Sequence, residues 1–205
     1  MMRTIVFLGL LLFIGCRQKS ESTGETARPV ALPAPDWTIR QVAEEERLLL
    51  RLAPIMTGTP RNMVEKGRNA VAEYALDQGW DVQTTRTGLL YQVVQMGEGP
   101  AIQWGDRLVA HYEGRFFNGK VFDSTYARGA PLTFYVGNMV PGWNEGLQKL
   151  RVGSKALLVV PAHLAYGAQG LSDGRGGYLV PPEQNLVFRI HVLNKISAEG
   201  EEEQK

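Results

Sequence analysis

A single cysteine, Cys16, occurs among 205 residues. No disulfide can form within the chain, so stability must come from a packed core. Charge of one sign is also missing: 22 Lys and Arg stand against 21 Asp and Glu, for a formal net charge of +1. That balance excludes the strong field expected of a nucleic-acid binder or a polybasic membrane patch. The three histidines, His111, His163 and His191, are scattered, with no second ligand type at metal spacing; neither a metal nor a cofactor is expected. The Gly-rich SDGRGG at 172–177 precedes a strand-like run and Pro-Pro rather than a helix, which excludes a phosphate-binding loop. Internal repeats are missing. The most apolar run, IVFLGLLLFI at 5–14, is too short to cross a bilayer as a permanent helix.

That run does fit the apolar region of a signal peptide, with Arg3 before it and Gly15–Cys16 after it. A small residue directly before the sole cysteine resembles a bacterial lipobox, although Phe13 stands where that motif usually has Leu. The expectation is a signal peptide over 1–15 and a lipidated Cys16, leaving 190 of the 205 residues. Acyl chains there would anchor the protein to a membrane, each buried CH₂ contributing about 0.8 kcal/mol. Arg17 after the cysteine resembles an outer-membrane address, so the expected location is the cell envelope, on the outer membrane facing the periplasm. Residues 16–36, Ser/Thr/Glu-rich and then Pro/Ala-rich, read as a flexible tether spanning roughly 25 Å. The acidic 197–205 stretch reads as a disordered, solvated tail.

Residues 37–80 carry helical periodicity. VAEEERLLLRLA at 42–53 stops before Pro54. In the next run Met63, Val64, Gly67, Ala70, Val71, Tyr74 and Ala75 share one face, which closes near Gly79. Two helices are expected, their apolar stripe packing on the following domain, on each other, or on a second copy in a homodimer. After Trp80 the period becomes two. Strands are expected at 89–96, 107–114, 132–136, 156–160 and 186–193, with one short helix at 143–150. In the last strand Leu186, Phe188, Ile190 and Val192 face one way and Val187, Arg189 and His191 the other. The expected class is α+β, a five-stranded antiparallel sheet folded over one helix.

The segment HYEGRFFNGKVFDS at 111–124 sets aromatic rings around Asp123 without a nucleophile, base or metal cluster. Alternation points Tyr112 the same way as Leu108 and Ala110, so its hydroxyl needs a partner, and Asp123 is a candidate acceptor. A purely structural Tyr–Asp bond remains an open alternative on spacing alone.

Together with VPGWNEGLQKLRVGSKALLVVPAHLAYG at 140–167 and VPPEQNLVFRIHVL at 180–193, this segment resembles the FKBP-type peptidyl-prolyl cis-trans isomerases over residues 86–196. The resemblance implies a half-barrel sheet around the short helix and a shallow aromatic pocket between them. It implies pocket positions at Tyr112, Phe122, Asp123, Trp143, Tyr166 and Phe188, with Trp143 as floor. Val140 and Val180 match aliphatic lining positions, and the Val140 N–H matches a contact for a peptide carbonyl. Three features depart from the family pattern: Leu132 where an aromatic is common, Met139 where a β-branched residue is usual, and a longer 170–180 segment, whose glycines are read as a mobile flap at the rim.

Catalytic roles are implied for Tyr112, Asp123 and Tyr166, and substrate binding for Phe122, Leu132, Met139, Val140, Trp143, Val180 and Phe188. The partners implied are proline-containing polypeptides and pocket-filling macrolides. A non-catalytic lipoprotein that binds proline-bearing segments or serves as a chaperone-like accessory is the alternative reading.

Overall fold

The structure, a computed structural model, describes residues 36–196, with side chains from residue 43 onward. The expected signal peptide, the Cys16 lipidation site, most of the tether and the acidic tail lie outside the described residues.

Two helices come first. α1 spans Asp36–Leu52 and α2 spans Met63–Gln78. Asn62 caps α2 by accepting from the Glu65 N–H at 2.9 Å, while the Glu65 carboxylate reaches back to the Arg61 N–H at 2.7 Å. The first bond satisfies an orphan donor of the first turn, and the second ties down the residue before the cap. Gly79, in the left-handed region at φ 64°, ends the helix. The buried face of α2 is Gly67, Val71, Ala72 and Ala75. Met63 and Val64, expected on that face, are exposed instead. They sit in the first turn, before the helix meets the sheet.

The strands are β1 Gln83–Thr84, β2 Leu90–Gln95, β3 Arg107–Phe116, β4 Val121–Ser124, β5 Leu132–Tyr135, β6 Lys155–Val160, β7 Leu171–Ser172, β8 Tyr178–Val180 and β9 Leu186–Ile196. Seven of them form one antiparallel sheet in the order β1-β2-β6-β9-β3-β4, with β5 also paired to β3. The expected five strands are all present. The two additions, β1 and β4, are too short to show a period: two and four residues. Two further helices follow β4 and β5: α3 at Thr125–Arg128 and α4 at Pro141–Leu147. Between the strands the sequence predicts one short helix, at 143–150; α4 instead starts at Pro141, a proline suiting the first helical turn, and ends at Leu147.

Both faces of the sheet are covered. On the inner face Leu89, Leu108, Ala110, Leu158, Leu186 and Ile190 pack with Trp143, Leu147 and Leu150 from α4 and the turn after it. On the outer face Leu90, Leu157, Val159 and Val187 pack with Leu48 and Leu52 of α1 and Val71, Ala72 and Ala75 of α2. This explains the unbroken apolar run ALLVV in β6, where every residue is buried: a strand covered on both faces has no polar side. The helical segment therefore packs on the following sheet, the first of the three packings left open by its periodicity.

Within the 170–180 segment β7 and β8 pair as a hairpin. The Asp173 carboxylate accepts from the N–H groups of Arg175 (2.8 Å) and Gly177 (2.9 Å) and holds the turn. Those two bonds also keep its carboxyl below the usual carboxylate range. The glycines here serve a turn organised by one aspartate.

Candidate functional site: an aromatic cluster around Trp143

β3 alternates buried and half-buried residues along its length, with Leu108, Ala110, Tyr112 and Gly114 inward. Tyr112 thus stands on the inner face, as alternation requires. Between β4 and β5, which both pair with β3, the strand edge is filled by Thr125, fully buried in α3. Its Oγ1 accepts from Tyr112 N–H at 2.8 Å and donates to Tyr112 C=O at 3.0 Å. The backbone of the site tyrosine is therefore fixed by the first residue of α3.

Trp143 is the hub of an aromatic cluster. Its ring meets Tyr112 (centroids 5.0 Å, 88°), Phe188 (5.3 Å, 88°) and Phe134 (5.6 Å, 68°), all edge to face. This is the arrangement favoured by opposed ring quadrupoles. Phe122 extends the wall, edge-on to Phe188 at 5.8 Å and tilted against Phe116 at 5.1 Å. Gly114 makes room for it, since a Cβ there would lie 2.5 Å from the Phe122 ring. The Trp143 Nε1 is buried without an acceptor among the described residues. Around these rings Leu132, Met139, Val140 and Tyr166 are half-buried and Val180 is buried, all packed against the same cluster.

The polar part of the site is a three-residue network. Tyr112 Oη donates to Asp123 Oδ2, Arg128 pairs with Asp123 Oδ1, and Arg128 Nη2 donates to Tyr112 Oη at 3.3 Å. The Arg128 guanidinium also lies 5.6 Å from the Tyr112 ring centre. Burial, and then the hydrogen bond to Asp123, push the Tyr112 phenol up to about 12. Burial, with the Asp123 charge behind it, raises Tyr166 as well, so both phenols are neutral donors at physiological pH. Asp123 is held by partners on two sides and keeps 26% of its side chain exposed.

All ten expected pocket residues adjoin this region, Asp123 through its bond to Tyr112 and the rest within one packed cluster. Sequence reasoning missed Arg128, Phe134, Phe116 and Asn144. Arg128 had a signal: Ser124 caps α3 by accepting from Ala127 N–H, and Gly129 closes it at φ 70°. One helical turn returns the residue five positions after Asp123 to its carboxylate. Asn144, buried in α4, accepts from Gly137 N–H (2.8 Å) and Met139 N–H (3.3 Å) and donates to Met139 C=O (2.6 Å). It thereby braces the loop that carries Met139 and Val140.

His111 and His191, distant in sequence, are cross-strand neighbours on the outer face, away from this cluster. Among the described residues no group of three or more His, Cys, Asp or Glu is placed to hold a metal ion.

Rings, two neutral phenols and a compensated carboxylate, with no activated nucleophile among them, are gathered in one cluster on the inner face of an α+β sheet. Comparison with known proteins gives this arrangement its family. Residues 99–193 match the family model for FKBP-type peptidyl-prolyl cis-trans isomerases. The chain is 40% identical over 129 residues to the FKBP-type peptidyl-prolyl cis-trans isomerase FkpA of Escherichia coli K12, covering 63% of this chain and 45% of that protein. The crystal structure of E. coli FkpA superposes with a TM-score of 0.57 at 34% identity, over 79% of this chain and 67% of that one. The crystal structure of AtFKBP13 does so with a TM-score of 0.53 at 37% identity, over 57% of this chain and the whole (100%) of that one. The chain belongs to the FKBP-type peptidyl-prolyl cis-trans isomerase family. It spans about half the length of the curated relatives it matches, 45% of FkpA and 60% of the 22 kDa isomerase of E. coli.

Proposed function

We propose that this protein accelerates cis–trans rotation of X–Pro bonds in polypeptides, without covalent chemistry, in the pocket over Trp143. The observation that carries this reading is the union of the Trp143-centred ring cluster with the Tyr112–Asp123–Arg128 network at its edge. The barrier to rotation is about 18–20 kcal/mol and comes from amide resonance. A planar amide is strongly polar and is stabilised by water, whereas a twisted amide has lost that charge separation. Rings that exclude water therefore disfavour the planar form more than the twisted one, and only such differential binding accelerates the step. A millionfold acceleration requires about 8 kcal/mol of preference.

In this reading Tyr166 Oη and the Val140 N–H hold the peptide carbonyls, and Phe122, Leu132, Met139, Val180 and Phe188 receive the proline and the residue before it. Asp123 fixes the Tyr112 hydroxyl and, with Arg128, sets the field at the turning carbonyl. An apolar residue before proline is favoured, and a macrolide of the rapamycin type fills the same pocket. The test is a protease-coupled proline assay on the protein and its Asp123→Ala variant. Loss of a charge-assisted bond pair lowers kcat/KM by about tenfold to a hundredfold, with binding of a proline peptide partly retained. An unchanged kcat/KM would reject the role given to Asp123.

The finer placement is part of the same proposal. The lipobox-like Gly15–Cys16 supports a lipid anchor, with residues 17–36 as tether and the domain facing the periplasm from the outer membrane, acting on exported clients. Radiolabelled palmitate entering the wild type and not Cys16→Ser tests it. No helix among the described residues is long and apolar enough to cross a membrane. Homodimerisation through residues 37–80 is supported by the outward Leu49 and Leu50 of α1, 50% and 70% exposed. Light scattering of the wild type and of the Leu49→Lys, Leu50→Lys double variant decides it: a mass halved by the substitutions supports the dimer, and a monomer in both excludes it.

A further inference from the structure

The helices α1 and α2 cover only part of the outer sheet face. Beyond Leu157 the same face continues as an open groove of about 370 Å³, lined by Lys155, Arg189 and His191 with Trp80, Val94 and Tyr126 beside them. The register sets His191 opposite Lys155 on one side and His111 on the other, and Arg189 opposite Leu157 and Glu113. Lys155 and Arg189 are thus diagonal neighbours across β6 and β9, about 7–8 Å apart at the backbone. Glu113 is already engaged, accepting from Arg115 Nε at 2.6 Å. Among the described residues neither Lys155 nor Arg189 is paired with a carboxylate. The rings along the groove are held in place. Trp80 stands edge-on to Tyr74 with centroids 5.5 Å apart, and Tyr126 stacks on His111 at 4.7 Å. His111 is fixed in turn by Thr125, Nδ1 to Oγ1 at 3.1 Å. Two unpaired cations at strand spacing, between preset rings, are the chemical complement of a ligand that is acidic and partly apolar.

We infer that this groove docks an extended, acidic segment of another polypeptide, with carboxylates at alternate positions and an apolar side chain adjoining them. In an extended chain the side chains at i and i+2 share one side and lie about 6.5 Å apart, close to the spacing of Lys155 and Arg189. Two carboxylates at that interval meet both cations at once. Trp80, Val94 and Tyr126 receive the apolar side chain. Single exposed ion pairs are weak, so the apolar contact carries the affinity and the charges select the sequence. A basic segment meets like charge there, and salt weakens the docking of an acidic one. The groove lies on the sheet face opposite the Trp143 cluster, with Arg189 and His191 outward where Phe188 and Ile190 are inward. Its occupant needs no proline, so the inference stands apart from the isomerase reading.

The probe is a labelled synthetic peptide, Glu-Val-Glu-Tyr-Glu, read by fluorescence anisotropy against the full chain in detergent, with empty micelles as the blank. The wild type is expected to bind it about tenfold more tightly than a Lys155→Gln, Arg189→Gln variant does, with affinity falling as salt rises. Both substituted side chains are exposed, so the variant should keep the wild-type melting temperature. A Lys155→Glu, Arg189→Glu variant is expected to reverse the preference and favour Lys-Val-Lys-Tyr-Lys. Zero-length carbodiimide crosslinking on the wild type then locates the acidic peptide, whose glutamates should join Lys155 in preference to the exposed Lys66 and Lys149. Equal peptide affinity in the wild type and the glutamine variant, or no binding at millimolar peptide, would overturn the inference. So would crosslinks from Lys155 to a second copy, or to a carboxylate of its own chain, in place of the peptide.

Discussion

Asp123 holds two partners at once, the Tyr112 hydroxyl on one carboxylate oxygen and the Arg128 guanidinium on the other. The consequence at residue scale is a phenol that stays protonated. With Tyr112 raised to about 12 in the fold by burial and the Asp123 bond, against about 10 in the unfolded chain, the folded state retains its proton longer. Tyr112 therefore contributes stability that is fully present below about pH 10 and is lost as pH rises through about 12. Denaturant titrations of the wild type and Tyr112→Phe, run from pH 8 to pH 12, are expected to show a steeper alkaline loss in the wild type; parallel curves would count against this. Gly114 gives a second prediction. With Phe122 2.5 Å from any Cβ at that position, Gly114→Ala displaces the ring and lowers kcat/KM for a proline peptide while the far-UV spectrum stays native.

Much of the residue-scale picture was legible in the sequence. The strand period placed Tyr112 and Phe188 on the inner face, and the resemblance supplied Trp143 and Tyr166. Arg128 was legible only through the Ser124 cap and the Gly129 stop of α3, because a single turn of four residues has no periodicity to detect. Phe134 was passed over in favour of Leu132. Both project inward from β5, but Phe134 is buried and reaches Trp143, while Leu132 is half-buried nearer the rim.

At the scale of elements, α4 approaches the sheet closely through glycine. A Cβ at Gly146 would lie 2.8 Å from Leu158 Cδ2. Leu158 is fully buried and cannot swing to solvent, so Gly146→Ala over-packs the contact and is expected to cost about 1–3 kcal/mol in a denaturant melt. The same shift moves Trp143, three residues earlier on the helix, and pocket affinity should fall with stability. The β7–β8 hairpin is governed by Asp173, and Asp173→Ala should speed amide exchange at Arg175 and Gly177, its two donors. Glycine content alone signals turns and looseness alike. Only the Asx-type bonds of one side chain tell them apart.

For the whole molecule, the helical segment and the sheet belong to one compact unit. Leu48, Leu52, Val71 and Ala75 shield Leu157, Val159 and Val187 from water. Deleting residues 36–80 would leave these side chains bare, an apolar patch of the kind that drives association. The shortened protein is expected to melt at a lower temperature and to bind a hydrophobic dye that the intact one does not; an unchanged melting temperature would mean the arm is dispensable. The unbroken apolar run of β6 fits a strand covered on both sides, which a period of two does not express. That α1 and α2 supply the second cover could not be read from their amphipathic stripe, which fits a partner sheet or a partner chain equally well.

The central claim is that the ring-lined pocket turns a prolyl bond without holding it covalently. Exchange NMR on a Leu-Pro peptide with a catalytic amount of protein tests it directly. Exchange peaks between cis and trans forms are expected at an unchanged cis:trans ratio, and a pocket-filling macrolide should abolish them. Exchange no faster than in buffer, or exchange that persists with the pocket filled, would contradict it.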